Sequence, residues 1–411
     1  MSAPQEKTAN ISTAALAGFA ALLVGIGFGR FAYSAFIPVL VERHWSTVSQ
    51  ADYLAATTLA GYVVGAAIAG HRIWRIGAAP TIRVSMLVVA SSFLCCARPL
   101  GYTWFFLWRS FAGVAGGFLM VTAVPTILAR TPVKGLARVN GAVFTGVGSG
   151  IAVSGTIIPI LARHSLEQAW MSIGVAGLIL AILTWTCWRD SGDTRAPSEE
   201  ENAVCSVRSR WPIRFLAAAY FASAMGIVPH SVFWVDFIAR GLHQGLMTAG
   251  HYWILLGFSA AAGPLVAGWS AEHLGFERSL HVAFLLETVG VALPVFSTSK
   301  WSLAISSVLL GSMLMGITSL VAGRMSELVA ISDQKKVWGW MTTAFSIAYA
   351  VGAWGFSLLF ARISSYKVLF VIGAISLLAG SFLDLVSSYM THAHHYEEKG
   401  SRESAYEDGL R

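Results

Sequence analysis

Charged residues are scarce in this chain: Asp, Glu, Lys and Arg make up 12% of its 411 residues, against about 25% in soluble domains. Long polar stretches are equally rare, whereas apolar runs long enough to cross a bilayer recur from end to end. These runs are continuous and do not alternate residue by residue, which argues against a transmembrane β-barrel. The composition therefore predicts an all-α polytopic membrane protein without a sizeable soluble domain.

Cysteine is scarce too, and the four cysteines have spacings that fit neither a disulfide framework nor a zinc site. The sequence also lacks a Walker A loop, a GxSxG nucleophile elbow and an HExxH metal motif. We therefore expect no enzymatic activity, no cofactor and no bound metal. Secondary transport, driven by a gradient and not by ATP, is the leading function that remains.

The formal net charge of +7 comes from basic residues scattered over short loops, which form no stripe suited to nucleic acid. Their distribution instead indicates orientation in a membrane. With both termini in the cytoplasm, 19 of the 28 Lys and Arg residues lie on the cytoplasmic side, 7 on the far side and two inside the membrane. We expect a protein of the bacterial inner membrane with both termini cytoplasmic. The first apolar run is too long for a cleaved signal peptide.

Twelve apolar spans are predicted, six on each side of one polar interruption that is rich in charge, Pro and Ser. The spans are 11–41, 48–70, 80–99, 103–130, 138–162, 167–189, 211–240, 246–270, 279–298, 301–325, 336–361 and 366–389. The expected organisation is a cytoplasmic tail (1–10), a six-helix bundle (11–189), a cytoplasmic linker (190–210), a second six-helix bundle (211–390) and a cytoplasmic tail (391–411).

The two halves repeat when the sequence is shifted by 198 residues without a gap. Five glycines of the first half then coincide with glycines of the second: Gly65 with Gly263, Gly70 with Gly268, Gly77 with Gly275, Gly113 with Gly311 and Gly141 with Gly339. An even number of spans in each half gives both halves the same orientation. The repeat predicts two parallel six-helix bundles with a solute path between them.

One charge stands out inside the first span. Arg30 lies in the stretch Gly25–Pro38, beside a glycine ladder that ends at Gly29. A guanidinium at mid-membrane costs at least about 2.5–3.5 kcal/mol, so it persists only where it faces protein, water or an opposite charge. We therefore treat Arg30 as a functional-site residue, with the neighbouring Tyr33.

With these features the chain resembles the major facilitator superfamily over nearly its whole length. In that superfamily the loop between helices 2 and 3 carries glycines, an acid and an arginine, and latches the two bundles in one conformation. Here Gly70, Arg75 and Gly77 fit this pattern, but Trp74 stands where the acid is expected; the second copy keeps Gly268, Glu272 and Gly275. The resemblance implies a latch at these loops, weakened in the first half.

The fourth span carries Arg109, Gly113 and Gly116 on one helical face. This resembles the superfamily's helix-4 arginine motif, which is associated with proton coupling; an arginine that snorkels to the span's end is the alternative. The glycines allow close helix packing, as does Gly148 in the glycine-rich fifth span, which only weakly resembles the helix-5 motif of exporters.

The segment GFGRFAYSAFIP, together with VPHSVFWVD of the seventh span, resembles the YbfB/YjiJ-like branch of the superfamily. That resemblance implies no particular substrate. Pro229 is expected to kink the seventh helix where it lines a cavity. Asp236 either pairs with Arg240 one turn later or, like His230, titrates as coupling protons bind. For Glu287 a hydrogen bond to a neighbouring helix is expected.

The predicted function is alternating-access transport of a small organic solute, with protons as the coupling ion and a monomer in the lipid bilayer as the working unit. Two buried cations favour an organic anion such as a carboxylate. The residues expected to bind the solute or protons are Arg30, Tyr33, Arg109, His230, Trp234 and Asp236. A proton-driven exporter of apolar cations anchored by Asp236 and a transport-inactive membrane sensor are the alternatives.

Overall fold

The computed structural model describes residues 3–72, 77–188 and 211–408. The predicted linker at 190–210 and the latch residue Arg75 lie outside these ranges, and for Gly70 only the backbone is described. Within the described ranges the chain is all-helical, as its continuous apolar runs predict, and it contains no strand.

The first half contains six helices. The first, α1, is continuous but irregular, with an α-helical start (Ala3–Leu22), a π-helical middle (Leu23–Ala32) and an α-helical end (Tyr33–Glu42). The others are α2 (Val48–Arg72), α3 (Ala78–Cys95), α4 (Tyr102–Leu128), α5 (Leu136–His164) and α6 (Leu166–Leu183). A 3₁₀ turn, Trp185–Cys187, follows α6.

The second half begins with α7, which is broken at Ile227 into Trp211–Gly226 and Val228–Asp236 and ends in a π-helical turn, Phe237–Gly241. The run Gly245–Phe296 contains two helices, α8 (245–274) and α9 (276–296), separated by non-helical Gly275. The chain then forms α10 (Lys300–Leu328), α11 (Ile331–Ile363) and α12 (Tyr366–Asp408). The last helix thus continues through most of the predicted C-terminal tail.

Most of these helices are long and apolar enough to cross a membrane. Many of their apolar side chains are exposed, as expected for surfaces that face lipid and not water. The predicted fold class, an all-α membrane protein with twelve transmembrane helices in two halves, is confirmed for the described residues. We call the side at which α1 begins and α12 ends the terminus side, and the opposite side the far side.

The 198-residue repeat is visible in the packing. A Cβ on Gly65 would lie 2.1 Å from the carbonyl oxygen of Val114, and one on Gly263 would lie 2.0 Å from that of Ser312. Ser312 is the residue that the repeat matches with Val114. The turn glycines Gly77 and Gly275 also share a positive φ, of 91° and 83°. Each half therefore joins its second and fourth helices through the same contact, which only glycine allows at this distance.

The two bundles touch along α5 and α8, and this contact is closed toward the terminus side. A Cβ on Gly148 in α5 would lie 2.0 Å from the carbonyl oxygen of Ala260 in α8. Nearer the far side, a Cβ on Gly155 or on Gly250 would meet no atom within 4 Å. The two helices therefore diverge toward the far side, where the space between the bundles widens.

Candidate substrate site between the two bundles

Arg30 is presented by the π-helical middle of α1. Glycines on the same segment bring α1 close to its neighbours: a Cβ on Gly27 would lie 2.8 Å from the Cα of Gly150 in α5. A π-helical segment is often found at functional sites because it changes the direction in which side chains project. Close packing on one face of α1 leaves Arg30 on another, where its side chain is half-buried.

The Arg30 guanidinium lies among three aromatic rings. Its central carbon is 5.1 Å from the ring centroid of Phe31, 5.9 Å from that of Tyr62 in α2 and 5.0 Å from that of Tyr349 in α11. These distances are within the range of cation–π attraction. Because Tyr349 belongs to the second bundle, Arg30 lies in the space between the bundles, near the middle of the helices.

Arg30 has no acidic partner in the part of the chain that the structure describes, where neither an ion pair nor a hydrogen bond holds its guanidinium. The surrounding rings offer their π faces but no full negative charge. A planar group with five N–H donors is thus left available between the bundles, and it suits a carboxylate or another oxyanion.

Arg109 is a second intramembrane arginine, but it lies inside the first bundle. It is fully buried, which excludes the snorkelling arrangement. Its Nε donates to the Thr58 hydroxyl at 3.2 Å and its Nη2 donates to the Gly29 carbonyl, while its other terminal nitrogen, Nη1, has no hydrogen-bond partner in the structure. Arg109 therefore binds the backbone of α1 at Gly29, one residue before Arg30, from inside the first bundle.

Tyr33 also packs within the first bundle. Its ring lies 4.7 Å from the Arg109 guanidinium, and its hydroxyl donates to the Ala51 carbonyl oxygen at 3.1 Å. Tyr33 is 1% exposed, so it shields Arg109 and does not face the space beside Arg30.

His230 and Trp234 of α7 are buried inside the second bundle against α10. Their rings stack at 4.3 Å, and the Trp234 indole N–H donates to the Ser307 hydroxyl at 3.1 Å. The His230 Nε2 lies 2.8 Å from the Ser306 hydroxyl, which itself donates to the Gly290 carbonyl. Because the Ser306 hydrogen is already used, Nε2 must carry the imidazole proton, and Nδ1 is left without a partner.

Asp236 lies at the far-side end of α7. It forms an ion pair with Arg240 at 3.2 Å, one turn later, and accepts a hydrogen bond from the Tyr366 hydroxyl. The local pair with Arg240, one of the two arrangements predicted from the sequence, is the one that the structure shows. Among the six predicted pocket residues, Arg30 faces the space between the bundles, and the other five lie within one bundle or at its end.

At the terminus side, the second-half latch loop contacts the opposite bundle. Glu272 forms an ion pair at 2.8 Å with Arg138, which is exposed at the start of α5. The 198-residue shift places Arg138 on Lys336 and therefore gave no indication of this partner. Gly268 lies in the same contact, since its Cβ would be 2.6 Å from the Ala137 carbonyl oxygen. Gly77 and Gly275 form the turns after α2 and α8.

Two further contacts between the bundles were missed in the sequence. The Asn140 side-chain amide of α5 donates to the carbonyl oxygen and the hydroxyl of Ser319 in α10, at 2.6 and 3.0 Å. The Trp338 indole N–H of α11 donates to the Met120 carbonyl of α4 at 3.0 Å. Both lie between Arg30 and the terminus side, so they close that side. A buried Asn and a Trp in otherwise apolar spans are the signals that could have indicated them.

Comparison with solved structures agrees with this architecture. The proton:xylose symporter XylE, bound to 6-bromo-6-deoxy-D-glucose, shares 13% identity, with a TM-score of 0.74 over 92% of this chain and 95% of that chain. The human organic anion transporter MFSD10 (TETRAN) has 13% identity and a TM-score of 0.72 over 93% and 99% of the two chains. FucP in its outward conformation has 14% identity and 0.71 over 90% and 98%. At these identities the likeness shows the fold.

A search among curated proteins found no significant match. The family profile described as "Uncharacterised MFS-type transporter YbfB" matches residues 22–385, which include Arg30 and nearly all of both bundles. The match confirms the resemblance seen in the first and seventh spans. The chain is an integral membrane transporter, not an enzyme, and it belongs to this YbfB-type family of the major facilitator superfamily.

Proposed function

We propose that this transporter carries a small organic anion with an apolar or aromatic body, by alternating access and coupled to protons. The observation that supports the proposal is Arg30, a guanidinium without an acidic partner, placed between the bundles among the rings of Phe31, Tyr62 and Tyr349. We place the protein in the bacterial inner membrane with both termini cytoplasmic, working as a monomer.

The charge of Arg30 favours an anion as the solute. A cation at this depth is costly unless an opposite charge compensates it, and the described residues supply none. A carboxylate that pairs with the guanidinium supplies that charge through two parallel hydrogen bonds. The three rings then pack against the apolar body of the solute and exclude water, which strengthens the pair.

The shape of the molecule supports entry from the far side. The contacts between α5 and α8, with the hydrogen bonds of Asn140 and Trp338, close the terminus side, while α5 and α8 diverge on the other. If both termini are cytoplasmic, this is an outward-open form, and rocking of the bundles about Arg30 would expose the solute to the cytoplasm.

A charge series on one ring tests the choice of solute. Benzenesulfonate, benzenesulfonamide and benzyltrimethylammonium share a benzene ring and differ in charge. We expect the two anions, benzenesulfonate and benzoate, to stabilise the purified protein against heat, and the sulfonamide and the ammonium compound not to do so. This stabilisation should be lost in Arg30→Gln and kept in Arg214→Gln. Arg214 is an exposed arginine that also lies against an aromatic ring, that of Trp211. Stabilisation by the ammonium member, or binding that survives Arg30→Gln, contradicts the proposal.

Flux separates transport from sensing. Benzenesulfonate stays charged at all relevant pH values, so it does not cross lipid by itself as benzoic acid does. We expect proteoliposomes to accumulate it under an imposed pH gradient and to lose it on addition of a protonophore. Binding without flux would support the sensor alternative. The cation exporter is less favoured because Asp236, its anchor, already pairs with Arg240 and Tyr366.

A further inference from the structure

Glu287 carries a buried carboxyl group that has no role in the transport cycle proposed above. It lies near the middle of α9, is 0% exposed and points into the second bundle. Its Oε2 accepts a hydrogen bond from the Ser223 hydroxyl of α7 at 3.1 Å, which confirms the expected bond to a neighbouring helix. Its Oε1 is buried and has no hydrogen-bond partner in the structure.

The other ionisable groups packed around this part of α9 are already paired. Asp384 of α12 binds His281, and Arg324 of α10 lies between Glu277 and Glu327. On α7 the facing groups are the Ser223 hydroxyl, which binds Glu287, and the Tyr220 hydroxyl, which lies near both Glu287 and Arg30 of α1. No cation among the described residues compensates Glu287 directly. A lone carboxylate at this depth is costly, so a bound proton is the available compensation.

The position of Ser223 links this carboxyl to the moving part of the molecule. Ser223 lies one turn before the break of α7 at Ile227. The break packs against α12: the Gly226 carbonyl oxygen would lie 2.9 Å from a Cβ on Gly373. Tyr220, one turn before Ser223, stacks on Phe345 of α11 at 4.3 Å. A change in the charge of Glu287 would thus act through Ser223 on the break in α7, and through Tyr220 on α11, the helix that carries Tyr349.

We propose that Glu287 is the proton-carrying group of the cycle and that the α7 hinge responds to its charge through Ser223. On loading, one O–H bond forms at Oε1 as a proton leaves water; on release the same bond breaks and the proton returns to water on the other side. His230 is less suited, because a proton on its Nδ1 would find no acceptor. The inference rests on the proton-coupled part of the proposed function.

Infrared difference spectroscopy tests the protonation without a solute. The probe is the carbonyl stretch of a protonated carboxyl in the purified full-length protein at neutral pH, identified by its shift in D₂O. We expect a band that is missing in Glu287→Gln, remains in Asp384→Asn and Asp333→Asn, and is lost as the pH is raised. Identical bands in wild type and Glu287→Gln, or a band that no pH change removes, would overturn the inference.

Transport of benzenesulfonate tests the coupling. We expect Glu287→Gln to lower proton-driven accumulation by about tenfold or more while solute counterflow stays within about twofold, since a coupling residue affects one and not the other. A structural role would change both equally. Should Glu287→Gln fail to fold, Ser223→Ala keeps the carboxyl, and we expect it to shift the infrared band and weaken coupling; an unchanged band and unchanged coupling would overturn the inference.

The two proposals fail in different ways. Wild-type accumulation that ignores a protonophore removes proton coupling itself, whatever the variant does. Wild-type accumulation that needs the proton gradient, together with an equally sensitive Glu287→Gln, leaves the proposed function intact and removes Glu287 from it.

Discussion

Asn140 of one bundle donates through a single side-chain nitrogen to both the carbonyl oxygen and the hydroxyl of Ser319 in the other. Both residues are buried, and the bond lies on the terminus side of Arg30. Because water has no access to the Asn140 amide, hydration does not compensate for the loss of this hydrogen bond. Asn140 is therefore placed to stabilise the closed arrangement of this side.

Asn140→Ala should shift the protein toward the form that opens on the terminus side. A net hydrogen bond of about 1 kcal/mol corresponds to a roughly fivefold change in the population ratio. Spin labels on Gly155→Cys and Gly250→Cys, in a background without native cysteines, measure the separation of α5 and α8 on the far side. We expect a larger short-distance population in Asn140→Ala. An unchanged distribution would show that the amide does not hold this closure.

Glu272→Gln should have a smaller effect on the same distances. The ion pair with Arg138 is largely exposed, with 75% of the Arg138 side chain accessible, and such pairs contribute less than about 1 kcal/mol. We expect a shift below that of Asn140→Ala, and one that disappears when salt is raised. A larger shift than that of Asn140→Ala would mean that the loop acts as a strong latch.

Gly148→Ala should disturb the contact between the bundles, whereas Gly155→Ala on the same helix should not. A methyl group on Gly148 would lie 2.0 Å from the Ala260 carbonyl oxygen, and one on Gly155 would meet nothing within 4 Å. Overpacking typically costs about 1–3 kcal/mol, so we expect the flux of benzenesulfonate to change in the first variant alone. Equal behaviour of the two variants would contradict the packing described for α5 and α8.

Ser306→Ala should destabilise the second bundle. It removes the acceptor of the His230 Nε2 proton and leaves a buried donor unpaired, at a cost of about 1–3 kcal/mol. Ser302→Ala is the matched control, because the Ser302 hydroxyl has no hydrogen-bond partner in the structure. We expect thermal unfolding to move to lower temperature in Ser306→Ala and to stay nearly unchanged in Ser302→Ala. Equal shifts would show that the hydrogen bond between His230 and Ser306 does not stabilise the second bundle.

The fold could be predicted because it depends on span length and polarity, which are local and periodic. Arg30 was identified for the same reason: a charge in an apolar run is visible without a partner. Asp236 could be paired with Arg240 because one helical turn separates them.

The contacts that close the terminus side could not be predicted. Asn140 and Ser319 are 179 residues apart and belong to different bundles, so no spacing in the sequence joins them. The direction in which a side chain points within its bundle could not be predicted either. Span boundaries do not say toward which neighbour a residue faces, so His230 and Arg109 were expected beside the solute although the structure places them inside their bundles.

Tyr349 lies against Arg30 although the two residues belong to different bundles, which the proposed transport cycle moves relative to each other. In such a cycle the affinity for the solute and the conformation of the bundles are not independent. A solute held by both Arg30 and Tyr349 would lose one of its two contacts when rocking separates α11 from α1, and the affinity for the solute would fall. The solute in turn would stabilise the arrangement that binds it by the same factor. Release would then follow from loss of half of the binding site.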